Sequence, residues 1–375
     1  MRVLITGANG FVGRNLQLRL SERQDVQVVC FNSDQPLEQL AAVLEGVDFV
    51  FHLAGVNRAQ NPKEFFDGNV DLTRFLCQAV ASKANLICKS IPILYTSSSQ
   101  ATLDNPYGRS KREAENILAV TGQDPLVPVH VFRLPNVFGK WCRPNYNSVV
   151  ATFCYNIARD LPIQINDSQA TLTLVYIDDV IERFIQLMEG AVSVVSDEGF
   201  LTVKPQYVTT VGELARQIRA FHGSRSSLVT ERVGTGLLRA LYSTYVSYLP
   251  LEGFSYDVPQ HADQRGVFVE MLKTADSGQI SYFTAHPGVK RGGHYHHSKT
   301  EKFLVIKGQA LFRFRHMQTG QRHELQTSGD RPQIVETVPG WTHDITNIGN
   351  VEMVVMLWAN EIFDRSLPDT YDCPL

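Results

Sequence analysis

A short β-branched run, "RVLIT", meets "GANGFVG" and then the amphipathic stretch "RNLQLRLSER" with no linker between them. Strand, glycine turn and helix in that order allow few topologies, because the turn must be tight and the helix must start close against the strand. Gly7, Gly10 and Gly13 have the spacing GxxGxxG, not GxGxxG. The demands are those of a dinucleotide-binding turn: close backbone approach to a pyrophosphate and close packing of helix on strand. Further apolar runs, "VQVVCF", "VDFVFHLAG" and "PILYTSSS", alternate with helical patterns such as "VDLTRFLCQAVAS". A parallel sheet wrapped by helices is expected, with its site along one edge of strand ends.

After "LLRALYSTYVSYLP", a helix-like stretch ending at Pro250, the alternation stops. "GVFVEML", "GQISYFTA", "EKFLVIKG", "QALFRFRHM", "PQIVETV" and "VEMVVMLWAN" are β-rich runs separated by Gly, Pro and polar turns, as in an all-β sandwich or barrel. At 375 residues, 43% hydrophobic and 19% charged, the chain has length and apolar content for two cores without disulfides. The expected division is residues 1–245 and 246–375.

A formal net charge of -3 offers no strongly basic face, so neither nucleic acid nor an anionic membrane is an expected partner. Cys30, Cys77, Cys88, Cys142, Cys154 and Cys373 form no CxxC pair and read as reduced thiols. "MRVLITGANG" does not have the pattern of a secretory leader, and no long uninterrupted apolar window follows. A cytoplasmic protein is expected, and a homodimer by base rate.

In "NPYGRSK", Tyr107 and Lys111 are four residues apart, on one face of a helix. An ammonium beside a phenol favours the phenolate, so Lys111 is expected to lower the Tyr107 pKa and let it exchange a proton with a carbonyl or alcohol oxygen. A hydroxyl from Ser97, Ser98 or Ser99, at the end of the preceding strand, could hydrogen-bond the same oxygen. The second strand ends Cys30, Phe31, Asn32 with no carboxylate to bind a ribose 2′-hydroxyl, which favours NADP(H) over NAD. Arg14 could add a positive partner, while Asp34 keeps NAD open.

"TGANGFVG", "HLAG", "SSS" and "NPYGRSK", in this order, resemble the extended short-chain dehydrogenase/reductase family, which commonly acts on sugar nucleotides. The resemblance implies a Rossmann-type domain and a nicotinamide cofactor. It implies Tyr107 as proton-transferring acid, Lys111 as its partner and Ser98 as the preferred serine. Cofactor contacts are implied for Gly7, Asn9, Gly10, Phe11, Val12, Gly13, Asn32, Leu53, Ala54, Gly55 and Asn69, besides Tyr107 and Lys111. "FRLPNVFGKWCRPNYNSVVATF" resembles the segment lining the family's sugar-nucleotide cleft, with Asn136, Arg143 and Asn147 as substrate contacts. Asp178 and Asp179 in "YIDDV" match the family or cap the next helix.

"GVKRGGHYHHSKTEKFLVIKG", Gly288 to Gly308, resembles the first motif of the cupin family, and "PGWTHDITN" is a partial second motif in which Pro339 and Gly340 are unusually adjacent. Two histidines separated by one residue point to the same side of a strand. His294 and His296, with Glu301 and a distant His343, would then complete a four-ligand site for a divalent metal, zinc first, inside a cupin (jelly-roll) barrel. His297 points the other way. Together the two halves resemble the bifunctional capsular polysaccharide enzymes of the CapF and WbjC family. That likeness implies a UDP-linked 4-keto-6-deoxy amino sugar as substrate, epimerised at carbon 3 by the cupin and reduced at carbon 4 with NADPH. The product implied is UDP-2-acetamido-2,6-dideoxy-L-talose, on the route to UDP-N-acetyl-L-fucosamine. The epimerase base is open among His297, Lys302, Tyr295 and Tyr282. A plain 4-keto reductase with a structural cupin is the alternative.

Overall fold

The computed structural model describes residues 1–190, 199–258, 260–263, 266–269, 272–274, 278–361 and 366–375. Packing divides them into two units, Met1–Val137 with Thr173–Val208, and Phe138–Leu172 with Thr209–Leu375.

In the first unit, β1 (Arg2–Thr6), β2 (Gln27–Phe31), β3 (Phe49–His52), β4 (Ile93–Ser98) and β5 (Val129–Leu134) form a parallel sheet in the order β2-β1-β3-β4-β5. The strands read as unbroken apolar runs because helices cover both faces: Val3, Leu4, Ile5, Val50 and Phe51 are all fully buried. Helices α1 (Phe11–Ser21), α2 (Leu72–Ile87) and α3 (Pro106–Thr121) follow β1, β3 and β4. Leu76 and Val80 of α2 and Ala114 and Leu118 of α3 pack with Leu4, Ile93 and Tyr95 of the sheet in one core. β1 is flanked by β2 and β3, so the strand order reverses there, and the carboxyl ends at such a point leave a crevice. This is the Rossmann-type arrangement expected. The helix Ile177–Met188 places Asp178 and Asp179 in its first turn with Tyr176 as N-cap, so the two aspartates face the helix dipole and are not caps.

His52 locks the strand ends together. Thr73 gives its hydroxyl proton to the Asn69 carbonyl (2.6 Å), so it accepts from His52 Nε2 (2.8 Å), leaving Nδ1 to accept from Thr6 Oγ1 (2.7 Å). Full burial, with Lys111 adding to it, pushes this imidazole down to about 3.

The second unit carries helices α4 (Val149–Ile157), α5 (Val211–Ser227) and α6 (Gly236–Val246), then a β-rich segment. Its principal strands are β6 (Ser255–Asp257), β7 (Gln279–Ala285), β8 (Lys290–Tyr295), β9 (Glu301–Lys307), β10 (Gln309–His316), β11 (Arg322–Ser328), β12 (Gln333–Glu336), β13 (Trp341–Asn347), β14 (Met353–Ala359) and β15 (Tyr371–Asp372). They form two antiparallel sheets, β6-β12-β9-β14-β7 and β11-β10-β13-β8-β15. The inner faces meet through Phe303 and Phe312, whose ring centroids lie 5.8 Å apart, giving a jelly-roll barrel. A separate hairpin pairs Gln260–Asp263 with Gly266–Val269; Glu270 and Met271 of "GVFVEML" lie outside the described residues.

Period-two alternation turns Lys302 away from its neighbours Glu301 and Phe303, onto the outer face of the first sheet. There Lys302 and Arg225 of α5 both pair with Glu336, and Tyr242 of α6 reaches the same carboxylate at 3.4 Å. All of these charges are buried, so their mutual pairing offsets the cost of desolvation and fastens α5 and α6 to the sheet. Among the described residues no helix is long and apolar enough to cross a membrane.

His52 makes stability pH-dependent with a fixed sign. Its folded pKa lies below the unfolded value, so the unfolded chain binds more protons and stability falls as pH drops below about 6.5. Between pH 7 and pH 5 this group should cost about 2 kcal/mol, and His52→Gln should remove that part of the slope in denaturant titrations at the two pH values.

Candidate active sites

At the carboxyl edge of the parallel sheet, the glycine turn is held by backbone geometry. Gly7 has φ +68°, and a Cβ there would stand 2.6 Å from Ala54 Cα, so only glycine lets the turn pass the 53–55 segment. Asn32 Oδ1 accepts from Asn9 N at 3.0 Å, and Arg14 Nε donates to Asn9 O at 2.8 Å. α1 begins at Phe11 with no acidic residue in its first turn, leaving its positive end free of competing carboxylates. Leu53 and Ala54 are tied to Thr6 by their amides, at 3.2 Å and 3.3 Å.

α3 begins at Pro106 with Asn105 as N-cap, its Oδ1 accepting from Gly108 N at 2.7 Å, which starts the helix in register to bring Tyr107 and Lys111 to the strand ends. Lys111 is buried, and its Nζ donates to Tyr95 Oη (3.0 Å) and Thr96 O (2.9 Å). Burial pushes this amine down to about 8 against the opposing pull of Glu115. Tyr107 differs from the sequence expectation: burial raises its pKa, and a hydrogen bond with Ser98 opposes the rise. Lys111 spends two of its donors on Tyr95 and the Thr96 carbonyl, and the pull on the phenol comes from the serine.

The serines separate cleanly. Ser98 Oγ accepts from Gln100 N (3.2 Å) and stands beside Tyr107. Ser97 is buried and donates to Glu115 Oε1 at 2.5 Å, while Arg133 holds both oxygens of Glu115 at 3.0 Å and 2.8 Å. Ser99 opens the short 3-10 turn. Asn69 is a brace: its amide bonds both backbone groups of Val56 (2.8 Å and 2.9 Å) and Ser110 Oγ (2.9 Å), tying the end of β3 to α3.

Asn136 is exposed and donates to Thr173 O at 3.1 Å. Arg143 and Asn147 share an exposed loop of the second unit, with Arg143 over the Tyr146 ring at 4.9 Å.

Inside the barrel, β8 and the turn after it supply His294 and His296, β9 supplies Glu301 and β13 supplies His343. One ligand atom from each can be chosen so that all lie within 4.8 Å of one another. His296 Nε2 is 3.1 Å from Glu301 Oε2, and His343 Nε2 is 3.7 Å from the same oxygen. Burial raises the Glu301 carboxyl, but His296, by charge and hydrogen bond, and His343 hold it well below the carboxylate range. Burial and the neighbouring imidazoles push His294 down to about 3. Imidazoles gathered around an ionised carboxylate are the donor set of a borderline divalent ion. The buried His343 Nε2 has no hydrogen-bond partner among the described residues, as a ligand nitrogen would not. The four residues therefore fit a metal; tetrahedral zinc would draw the donors to about 3.4 Å from one another.

A cavity of about 200 Å³ opens on this cluster, lined also by Phe283, Arg291, Phe303, Phe312, Ile345 and Leu357. The four open candidates for the epimerase base all lie outside its lining. Lys302 is committed to Glu336 on the outer face, Tyr282 is 71% exposed, and Tyr295 and His297 pack with Tyr371. Gly340, which follows Pro339 directly, has φ +84°, and a Cβ there would meet Trp141 Cζ2 at 2.8 Å, so the position requires glycine. Sequence reading missed Tyr95, Glu115 and Asp369, which bond Lys111, Ser97 and His296. Only Glu115, one turn beyond Lys111 on α3, left a signal that spacing could have raised.

The sequence matches the NAD dependent epimerase/dehydratase family over residues 3–200 and the polysaccharide biosynthesis C-terminal domain over residues 261–371. The first match spans more than half of the chain, and the protein belongs to the NAD dependent epimerase/dehydratase family, whose members use a nicotinamide cofactor. It is 62% identical over 373 residues to the UDP-2-acetamido-2,6-beta-L-arabino-hexul-4-ose reductase of Pseudomonas aeruginosa, covering 100% of this chain and 98% of that one. The crystal structure of the capsular polysaccharide assembling protein CapF from Staphylococcus aureus is similar over 100% of both chains, with 40% identity and a TM-score of 0.66. These full-length likenesses bear out the resemblance seen in the motifs. UDP-glucuronic acid 4-epimerase from Bacillus cereus, 18% identical over 60% of this chain and 83% of that one with a TM-score of 0.51, shares the fold.

The two serines predict opposite outcomes. If Tyr107 is the proton donor the sequence leads one to expect, Ser98→Ala should lower turnover about 10- to 100-fold with little change in stability, since it loses a hydrogen bond to that phenol. Ser97→Ala should leave turnover within a few-fold but cost about 1–2 kcal/mol in urea melts, because Glu115 loses a buried donor.

Proposed function

We propose that this chain is a bifunctional sugar-nucleotide enzyme acting on a UDP-linked 4-keto-6-deoxy amino sugar. Residues 246–375 epimerise carbon 3, and residues 1–245 reduce the 4-keto group with NADPH, giving UDP-2-acetamido-2,6-dideoxy-L-talose. The observation that carries this reading is the second site: a buried three-histidine, one-glutamate cluster opening on a cavity. A reductase alone has no use for it, and the relatives named for 4-keto sugar reduction and capsule assembly carry this chain's full length.

The chemistry joins the two sites. A ketone at carbon 4 acidifies the hydrogen at carbon 3, and loss of that proton places negative charge on the carbon 4 oxygen. A zinc ion held by His294, His296, Glu301 and His343 would act as a Lewis acid toward that oxygen. The apolar lining of Phe283, Phe303, Phe312 and Leu357 thins out water, which strengthens every charge interaction in the cavity. Return of a proton to the opposite face inverts carbon 3.

Reduction removes the ketone and traps the new stereocentre. NADPH supplies the hydride. Tyr107 gives its proton to the carbon 4 oxygen, Ser98 hydrogen-bonds the phenol as charge develops, and Lys111 places a cation beneath them. The choice of NADPH is supported by the second strand, where Asn32 is turned to Asn9 and no carboxylate meets a 2′-phosphate. Asn136, Arg143 and Asn147 are proposed to contact the substrate.

The test follows carbon 3 by NMR in deuterated water with the 4-keto UDP-sugar, with and without NADPH. Tyr107→Phe should cut reduction about 10²- to 10⁴-fold and leave deuterium exchange intact, while His296→Ala should abolish exchange. Normal reduction without any exchange in the unsubstituted chain would select a plain reductase. Because Lys111 is pushed down to about 8, it loses its charge as pH rises through that value, and reductive turnover should fall there. Lys111→Arg, which stays charged, should carry any surviving activity to higher pH without that fall.

A further inference from the structure

Segment 366–375 lies against the strands that carry the metal-site histidines. Tyr371 and Asp372 pair with β8 at Tyr295 and His294, and Cys373 N donates to Gly293 O at 2.7 Å. Across the site, Thr342 Oγ1, one residue from His343, donates to Cys373 O at 2.5 Å.

The decisive contacts come from Asp369. Its Oδ1 accepts from His297 N at 2.9 Å, and its Oδ2 from Ser298 N and Lys299 N, both at 2.7 Å, and from Ser298 Oγ at 3.0 Å. The carboxylate thus clasps the turn that follows His296. Its own backbone carbonyl stands 2.5 Å from His296 Nδ1. A carbonyl only accepts, so Nδ1 carries a proton, and Nε2, which hydrogen-bonds Glu301 at 3.1 Å, is the nitrogen left to a metal once its own proton is lost. A ligand histidine oriented through its far nitrogen is the usual way a fold fixes both tautomer and ring direction before the metal arrives.

We propose that Asp369 is a positioning residue of the barrel's metal site, setting the tautomer and ring direction of His296 through its carbonyl while its carboxylate holds that carbonyl in place. This rests on reading the His294, His296, Glu301 and His343 cluster as a metal site. Aspartate suits the task because it accepts several backbone N–H groups at once, and its clasp on residues 297–299 holds its own carbonyl opposite the imidazole. The segment is also held at its far end, where Arg315 Nη2 donates to Pro374 O at 3.0 Å.

The experiment uses the full chain and Zn(II), with affinity read by competition against a chromophoric chelator at fixed pH. Asp369→Ala should weaken Zn(II) about 10- to 100-fold, and Asp369→Asn, which keeps one acceptor oxygen, by less. Arg315→Ala, which loosens the same segment elsewhere, should stay within about 2-fold on this argument. The Co(II) absorption spectrum should change in Asp369→Ala and match the unsubstituted chain in Arg315→Ala. Melting curves in chelator report folding without metal, and if Asp369→Ala melts below the working temperature the Asp369→Asn variant decides. Equal Zn(II) affinity in Asp369→Asn, Asp369→Ala and the unsubstituted chain would overturn the proposal, as would an equal loss in Arg315→Ala. Failure of the unsubstituted chain to bind Zn(II) would overturn the metal reading beneath it.

Discussion

Burying charge where it has a partner is the constraint on which both sites depend. Glu301 sits almost sealed within the barrel, and the penalty of removing a carboxylate from water is met there by His296 and His343. The same solution recurs wherever the chain hides a charge. Lys111 is buried against Tyr95 and the Thr96 carbonyl, Glu115 is held by both arms of Arg133, and Glu336 is shared between Lys302 and Arg225. Each cluster joins elements distant in sequence, so each is a fastener as well as an electrostatic device.

The clusters differ in what they leave unsatisfied. Around Glu336 the described donors and acceptors meet one another, and the result is mechanical: two helices fixed to the outer face of a sheet. In the barrel, His343 Nε2 is left without a hydrogen bond and the cluster faces a cavity, so its chemistry is directed at something not part of the chain. At the sheet edge, Tyr107 keeps its proton under the opposing influence of burial and Ser98. An acid that holds its proton until a neighbouring oxygen becomes basic is suited to reduction of a ketone. The closed cluster is a fastener, and the two open ones are the places where the proposed chemistry would act.

Much of this was legible along the chain because the decisive patterns are local. Gly7, Gly10 and Gly13 report a turn whose glycine requirement is set by the next strand, and the four-residue step from Tyr107 to Lys111 is a property of any helix. His294 and His296 were flagged by the alternation of a strand, although His296 lies in the turn just past β8. The parts that were not legible depend on residues brought together by long loops. Tyr95 and the Thr96 carbonyl take up two donors of Lys111, and the hydrogen bond that opposes the rise in the Tyr107 pKa comes from Ser98. Lys302, next in sequence to the cavity-lining Phe303, belongs to the outer face, where it meets Glu336.

By itself the sequence determined the element types, the parallel and antiparallel halves and the candidate residues for chemistry, because these follow from periodicity, glycine spacing and side-chain type. Only the tertiary structure decided which serine meets the phenol, which side chains line the cavity, and that residue 369 orients a histidine 73 positions earlier. Those outcomes depend on hydrogen-bond direction and on which face of a sheet is buried, and neither is set until strands far apart in the chain have paired.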